Sequence, residues 1–420
     1  MQLTPTAESK PRCGTQTAGA HYTVQVARSV SEVEALRPLW TTLQRHPNSD
    51  IDFYLTILGA RPEIVRPHVI VVYRSGSPDA MLIGRLERRR FDLKIGYRAF
   101  FSPRCRSLTF IYEGLLGNGS PENSKLMLEE IMRSLRQGEA DLVFFNSLKV
   151  DSPIYCFATS LPGFLSRDNF PDRREHWTMK LPRSVEEFYL GLSPKARRNR
   201  RQEANKLLRD HSNNVRVRCL RETGEVDQMI QDIEEVAKRT YHRGLGVGFH
   251  DSAEMRRRLH LEAQQGRLRA YILYVAEKPC AFWLATLYGR TLHGHFTGYD
   301  PDFAKYSPGT FILLRIIEDS CGSNVEEIDF GFGDAWYKEF FCNCKWYEAS
   351  SYIFAPTLKG LGLNLLRTPT MAVDKAARMV AERTKLLPKV KKAWRGLLRD
   401  RTNSSFPKST ETIARPPGRS

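Results

Sequence analysis

Residues 293–341 read HGHFTGYDPDFAKYSPGTFILLRIIEDSCGSNVEEIDFGFGDAWYKEFF. In order they spell a strand, a tight loop, an apolar helix, a second strand and a Gly-Asp turn into an aromatic segment. The loop ends in Ser307-Pro308-Gly309-Thr310 at the helix start, where backbone N–H groups without intrahelical acceptors suit an anion. Asp329, Asp334, Tyr337 and Lys338 follow the next strand, the place where open α/β sheets gather ligands and chemistry. The combination points to an α/β transferase with a phosphate-bearing donor.

Working outward, the same plan occurs twice. Strands are expected at 21–26, at 69–73 and at 80–86 around the Ser75–Asp79 turn, then a helix at 125–135 and a strand at 140–145. A further helix is expected over 30–43, with Ser31 as its cap. In the second half a helix covers 227–241 and strands cover 270–275, 280–288 and 292–297. Helix 310–318 and strand 325–330 complete it. Corresponding elements lie about 185–200 residues apart, as a diverged duplication predicts. The expected organisation is a disordered 1–20, a first lobe over 21–183, a basic linker helix over 184–213 and a second lobe over 214–356 with the active cleft. A basic amphipathic helical extension over 357–402, broken at Pro369 and Pro388, and a disordered tail over 403–420 complete it.

The formal charge of +17 is concentrated. Residues 194–221 hold 10 Lys/Arg against 2 Asp/Glu, and residues 358–420 hold 15 against 4, which together exceed the whole surplus. Such patches suit phosphates, anionic lipid or nucleic acid. No apolar run approaches the ~20 residues of a membrane span, and the first twenty residues lack the apolar core of a secretory signal. A cytoplasmic location is expected, with the basic C-terminal extension either peripheral at the inner face of the membrane or a solvated helical extension packed on the core. The 8 cysteines form no CxxC pair, so reduced thiols are expected rather than disulfides or zinc. His293 and His295, two apart on a strand, face one side and read as a base, a substrate contact or packed structure; no third ligand at suggestive spacing accompanies them, so no metal is expected.

Four segments carry a family resemblance: Gly191-Leu192-Ser193-Pro194-Lys195-Ala196-Arg197, Gly298-Tyr299-Asp300, Ser307-Pro308-Gly309, and Asp329-Phe330-Gly331-Phe332-Gly333-Asp334 running into Tyr337-Lys338. In this order the chain, from about residue 22 to 356, resembles the CelD-type acetyltransferases, named for bacterial cellulose biosynthesis. These belong to the GNAT-like superfamily and are related in layout to Fem-type aminoacyl transferases. The resemblance implies tandem GNAT-like lobes, mixed sheets flanked by helices, and an acyl-CoA donor, acetyl-CoA or another. The loop before the 310–318 helix would cradle the CoA pyrophosphate, although the full Gly-rich signature is reduced here to Gly309. Tyr337 would protonate the departing thiolate, or else belong to an aromatic cluster.

Asp329 or His295 would assist deprotonation of the acceptor, and glycines 331 and 333 allow backbone conformations closed to other residues. Asp334 would contact substrate or cap the next helix. Lys338, Lys195 and Arg197 would meet donor phosphates, while Arg201, Tyr299 and Asp300 would line the acceptor side. The expected reaction is acyl transfer to an amine or hydroxyl of a sugar, lipid or metabolite, possible contexts being exopolysaccharide or envelope synthesis. The alternatives are a Fem-like transferase using aminoacyl-tRNA and a non-catalytic scaffold at an anionic membrane surface.

Overall fold

The first strand, β1 (Tyr22–Ala27), leads into helices α1 (Val30–Ala35), α2 (Arg37–Leu43) and α3 (Ile51–Ala60) of the computed structural model, which describes residues 21–383 apart from 97, 213, 241–242, 244–247 and 334. The expected ends 1–20 and 403–420, together with Pro388 and Asp334, lie outside the described residues. The single helix expected over 30–43 divides at Leu36, because Pro38 has no N–H to continue the ladder. Its cap is Ser29 rather than Ser31: the Ser29 hydroxyl accepts from the Glu32 N–H, and the Glu32 carboxylate accepts in return from the Ser29 N–H at 2.9 Å.

The expected hairpin is present as β2 (Ile64–Arg74) and β3 (Ser77–Arg90), turning through Ser75 and Gly76 at φ 50° and 84°. A separate small hairpin, β4 (Leu93–Ile95) and β5 (Arg98–Phe101), precedes β6 (Arg104–Gly117). Helix α4 (Pro121–Arg136), β7 (Leu142–Lys149), α5 (Pro153–Ser160) and β8 (Asp172–Lys180) follow. Two helices fill the linker: α6 (Val185–Gly191), and the basic α7 (Pro194–Asp210), capped by Ser193 with Pro194 at its first turn.

The second half runs β9 (Val215–Leu220), α8 (Val226–Arg239), α9 (Ala253–Gln264), β10 (Leu268–Val275), β11 (Lys278–Tyr288) and β12 (Thr291–Tyr299). It ends with α10 (Pro308–Ser320), β13 (Glu327–Phe332), α11 (Trp336–Phe341) and β14 (Cys344–Phe354), before a last helix, α12 (Leu358–Arg383). Pro369 lies inside α12 and does not break it, contrary to the expectation from sequence. Contacts on both sides of the proline hold the helix on course: Arg367 pairs with Asp168, and Asp374 accepts from the Gly96 N–H.

Twelve strands form one sheet in the order β1-β2-β3-β6-β7-β14-β8-β13-β12-β11-β10-β9. The two halves mirror one another about its centre, and the central pair is exchanged. Strand β8, from the first half, pairs with β13 of the second, while β14 returns to pair with β7. Each half has one parallel pair, β6/β7 and β12/β13, bridged by a helix. Helices cover both faces, with Trp40, Ile51 and Tyr54 on one side of the first half and Met127 and Ile131 on the other. In the second half Ile230 and Ile233 pack one face, and Ile312 and Ile316 the other.

The halves are also tied through Asp50, which is 1% exposed. Its carboxylate caps α3 through the Asp52 and Phe53 N–H groups and accepts from Arg267 at 2.7 Å and the Tyr288 hydroxyl at 3.0 Å, both from the second half. Removing it leaves Arg267 without this partner and α3 without its cap. Asp50→Ala is therefore expected to lower stability by roughly 3 kcal/mol, measured by urea unfolding of the whole chain; a loss below about 0.5 kcal/mol would contradict this role.

Candidate active site

The ladder between β12 and β13 has three rungs and stops at His293↔Asp329. Beyond it the strands part, and a cavity of about 380 Å³ lies in the gap. Gly294 to Thr297 line one side and Phe330 to Phe332 the other, with Tyr337 and Lys338 beside them. His46, Tyr112 and His176 come to the same cavity from the first half of the chain.

Asp329 organises this wall. One oxygen accepts from His176 Nε2 at 2.7 Å and from the Gly331 N–H at 2.7 Å; the other faces His293 Nδ1 at 3.1 Å. Gly331 sits at φ 65°, a conformation glycine adopts without the cost a Cβ adds. Burial pushes the Asp329 carboxyl up, but the hydrogen bonds from His176 and His293 outweigh it and hold the group well below the ordinary carboxylate range. An ionised carboxylate only accepts, so the facing nitrogens of both histidines carry protons. His293 Nε2 is then left with its lone pair, buried and without a partner among the described residues.

His46 has the opposite tautomer. Its Nδ1 accepts from the Asn48 backbone N–H at 3.0 Å, which places the proton of the neutral ring on Nε2. Burial first, and the neighbouring His293 second, push its pKa well below the ordinary value, so the ring is neutral. Trp283 adds a second donor to the cavity wall, since its buried Nε1–H has no partner among the described residues. One ligand-capable atom each of His46, His293 and Asp329 lie within 4.8 Å of one another. This set does not fit a metal ion, because His46 Nε2 bears a proton and both Asp329 oxygens already accept hydrogen bonds.

Several expected site residues are elsewhere or otherwise engaged. His295 lines the cavity, but its Nε2 lies 2.8 Å from the Thr286 hydroxyl and 3.0 Å from Arg258. Burial and the Arg258 charge push its pKa well below the ordinary value. The available lone pair belongs to His293 instead. Lys338 is buried and donates to the carbonyls of Phe330, Gly331 and Phe332, which braces the strand end. Asp300 caps the turn at 301–306 and pairs with Arg239. Tyr299 is half-exposed beside Gly309, outside the cavity lining. Tyr337 does reach the cavity, its ring edge-on to Trp283.

At the start of α10, Ser307 takes a left-handed conformation at φ 52°. Its N–H bonds the Ala304 carbonyl, Pro308 has none, and the N–H groups of Thr310 and Phe311 both donate to the Ser307 carbonyl. Arg197 and Arg201 line a second cavity with Arg200 and Arg315, about 470 Å³ in volume, which abuts the first turn of α10 at Phe311. Lys195 is exposed on the same helix, α7.

The equivalent gap in the first half is differently filled. There the β6/β7 ladder ends at Phe110↔Phe145, and the two rings stack with centroids 5.2 Å apart. The polar pair exists only in the second half.

Residues 194–339 match the acetyltransferase (GNAT) domain family. The match supports acyl transfer as the reaction class and an acyl-CoA as donor. It spans the second-half cavity residues and stops short of His46, Tyr112 and His176. No curated protein matches the chain. Solved structures similar to it include a conserved protein of unknown function from Bacteroides thetaiotaomicron, at 11% identity and TM-score 0.47, covering 78% of this chain and 100% of that one. FemX is similar at 9% identity and TM-score 0.47, over 74% and 93% of the two chains. A tandem GNAT protein from the clavulanic acid biosynthesis pathway is similar at 11% and 0.44, over 81% and 99%.

Sequence reading missed His46, Tyr112, His176 and Trp283. No motif surrounds them; the one available signal was that histidine is scarce, 10 in 420 residues. The electrostatics make a direct expectation. Because the folded pKa of Asp329 lies below its unfolded value of ~3.9, its stabilisation is present above about pH 4 and is lost as pH falls further. Acid unfolding of the Asp329→Asn variant should therefore depend less steeply on pH below about 4 than that of the unaltered protein, and equal slopes would show that the carboxylate is not held down.

Proposed function

We propose that the cavity transfers an acyl group, acetyl in the simplest case, from an acyl-CoA to an amine or hydroxyl of a sugar, lipid or small metabolite. The observation that carries this reading is His293 Nε2, a buried lone pair without a partner among the described residues, oriented by Asp329 inside the segment that matches an acetyltransferase domain. The CelD-type resemblance favours a polysaccharide or envelope acceptor.

In this mechanism the acceptor's lone pair forms a bond to the thioester carbon, and the carbonyl π pair moves onto oxygen. His293 Nε2 takes the acceptor's proton, and Asp329 stabilises the resulting imidazolium. The Nε2–H of His46 and the Nε1–H of Trp283 donate to the oxygen as it becomes negative. Collapse re-forms the carbonyl and breaks the C–S bond; Tyr337 gives its proton to the thiolate. Gly309 and the arginines of the second cavity supply the donor's phosphates with an N–H and positive charge.

Two measurements test the proposal. Calorimetry should show acetyl-CoA binding, and thiol release from acetyl-CoA with ethanolamine or glucosamine as acceptor should show turnover. His293→Gln is expected to lower kcat by about 10²–10³-fold with donor affinity little changed, and Tyr337→Phe by about 10²-fold. Salt-sensitive tRNA binding without acetyl-CoA binding would transfer the assignment to the aminoacyl-tRNA reaction, and full activity of His293→Gln would remove the base.

A further inference from the structure

Helix α12 packs on the core through Leu363 and through polar groups that each have a definite partner. Asn364 donates to the carbonyls of Leu165 and Arg167 at 2.7 and 3.0 Å. Arg367 donates to Asp168 at 2.9 Å, and Asp374 accepts from the Gly96 N–H at 2.7 Å. The outward face is the apolar one. At about 100° per residue, Leu358, Leu365, Leu366, Val373 and Met379 fall within one arc of about 140°. All five are exposed, Leu365 by 74% and Val373 by 54%. The other positions on that arc are Leu361, Gly362, Pro369, Ala372, Ala376 and Val380, so no charge interrupts it before Arg383.

The polar contacts also join α12 to segments that carry other exposed apolar groups. Asn364 touches the loop that carries Phe164 and Leu165, which are 64% and 63% exposed. Asp374 touches the β4–β5 hairpin, which carries exposed Phe100 and Phe101. Single exposed leucines are ordinary, but a continuous ridge of this kind marks a surface that meets something other than water.

Charge decides what it meets. Directly after α12, residues 384–402 hold seven Lys/Arg against one Asp, with Trp394 among them. A second copy of the chain docked on this face would bring like charges together. An anionic bilayer instead accepts the apolar ridge at its headgroup boundary and the basic residues on its phosphates. No helix among the described residues is long and apolar enough to cross a membrane, so contact of this kind lies in the surface plane.

We propose that the outward face of α12, with Phe164, Leu165 and the β4–β5 hairpin beside it, docks the protein on an anionic membrane surface. The proposal stands independently of the reaction assigned to the cavity.

The test is co-sedimentation of the full chain with phosphatidylcholine vesicles with and without phosphatidylglycerol. The unaltered protein is expected to bind the phosphatidylglycerol vesicles and to release from them as salt rises. The double variant Leu365→Glu/Val373→Glu should bind about tenfold or more weakly, with its thermal unfolding and acetyl-CoA affinity unchanged, because both side chains lie on the outward face. Lys391→Glu/Lys392→Glu should weaken binding in the same direction. Equal binding by the protein and the Leu365/Val373 variant would overturn the proposal. So would a dimer, seen by analytical ultracentrifugation, that this variant abolishes while the unaltered protein ignores vesicles.

Discussion

The structure turns on one buried carboxylate held between strands from both halves of the chain. Asp329 lies at the last rung of the β12/β13 ladder, and its charge is kept by His293 on β12 and His176 on β8. An unpaired buried carboxylate is costly enough that it would take up a proton instead. The exchange of β8 into the second half supplies the partner that prevents this. It also lets β12 and β13 separate beyond Asp329 while the sheet remains continuous through β8 and β14. The cavity, the tautomer of His293 and the joining of the two halves therefore share one cause.

The duplicated plan makes the chemical asymmetry legible. Both halves end their parallel ladder at a comparable rung, with a helix bridging the two strands. One rung carries histidine and aspartate, the other two stacked phenylalanines. A stacked aromatic pair stabilises a sheet but transfers no proton. The first half contributes in another way, through the segment around Asp50 that packs against Arg267 and Tyr288. That segment carries His46 to the cavity wall, where a backbone N–H fixes its tautomer. The acetyltransferase-matched segment thus has its cavity closed by residues that lie outside the match.

Local sequence chemistry determined a great deal about this protein. Periodicity and turn residues placed the strands of the β2/β3 and β10/β11 hairpins, and the repeated spacing of similar elements agrees with the mirrored order of the sheet. Glycine chemistry at 331 and the position of Asp329 at a strand end were also readable, because both depend on neighbours within a few residues. The tertiary structure alone decided which histidine is available. His293 and His295 are equivalent in a strand pattern, and what distinguishes them is Asp329 beside the first and Arg258 and Thr286, 37 and 9 residues away in sequence, beside the second. It alone brought His46 and His176 to Asp329 across separations no periodic pattern reports, and it alone decided that Asn364, Arg367 and Asp374 of α12 turn inward. Sequence records which groups a segment carries; the exchange of strands between the halves decides which of those groups meet.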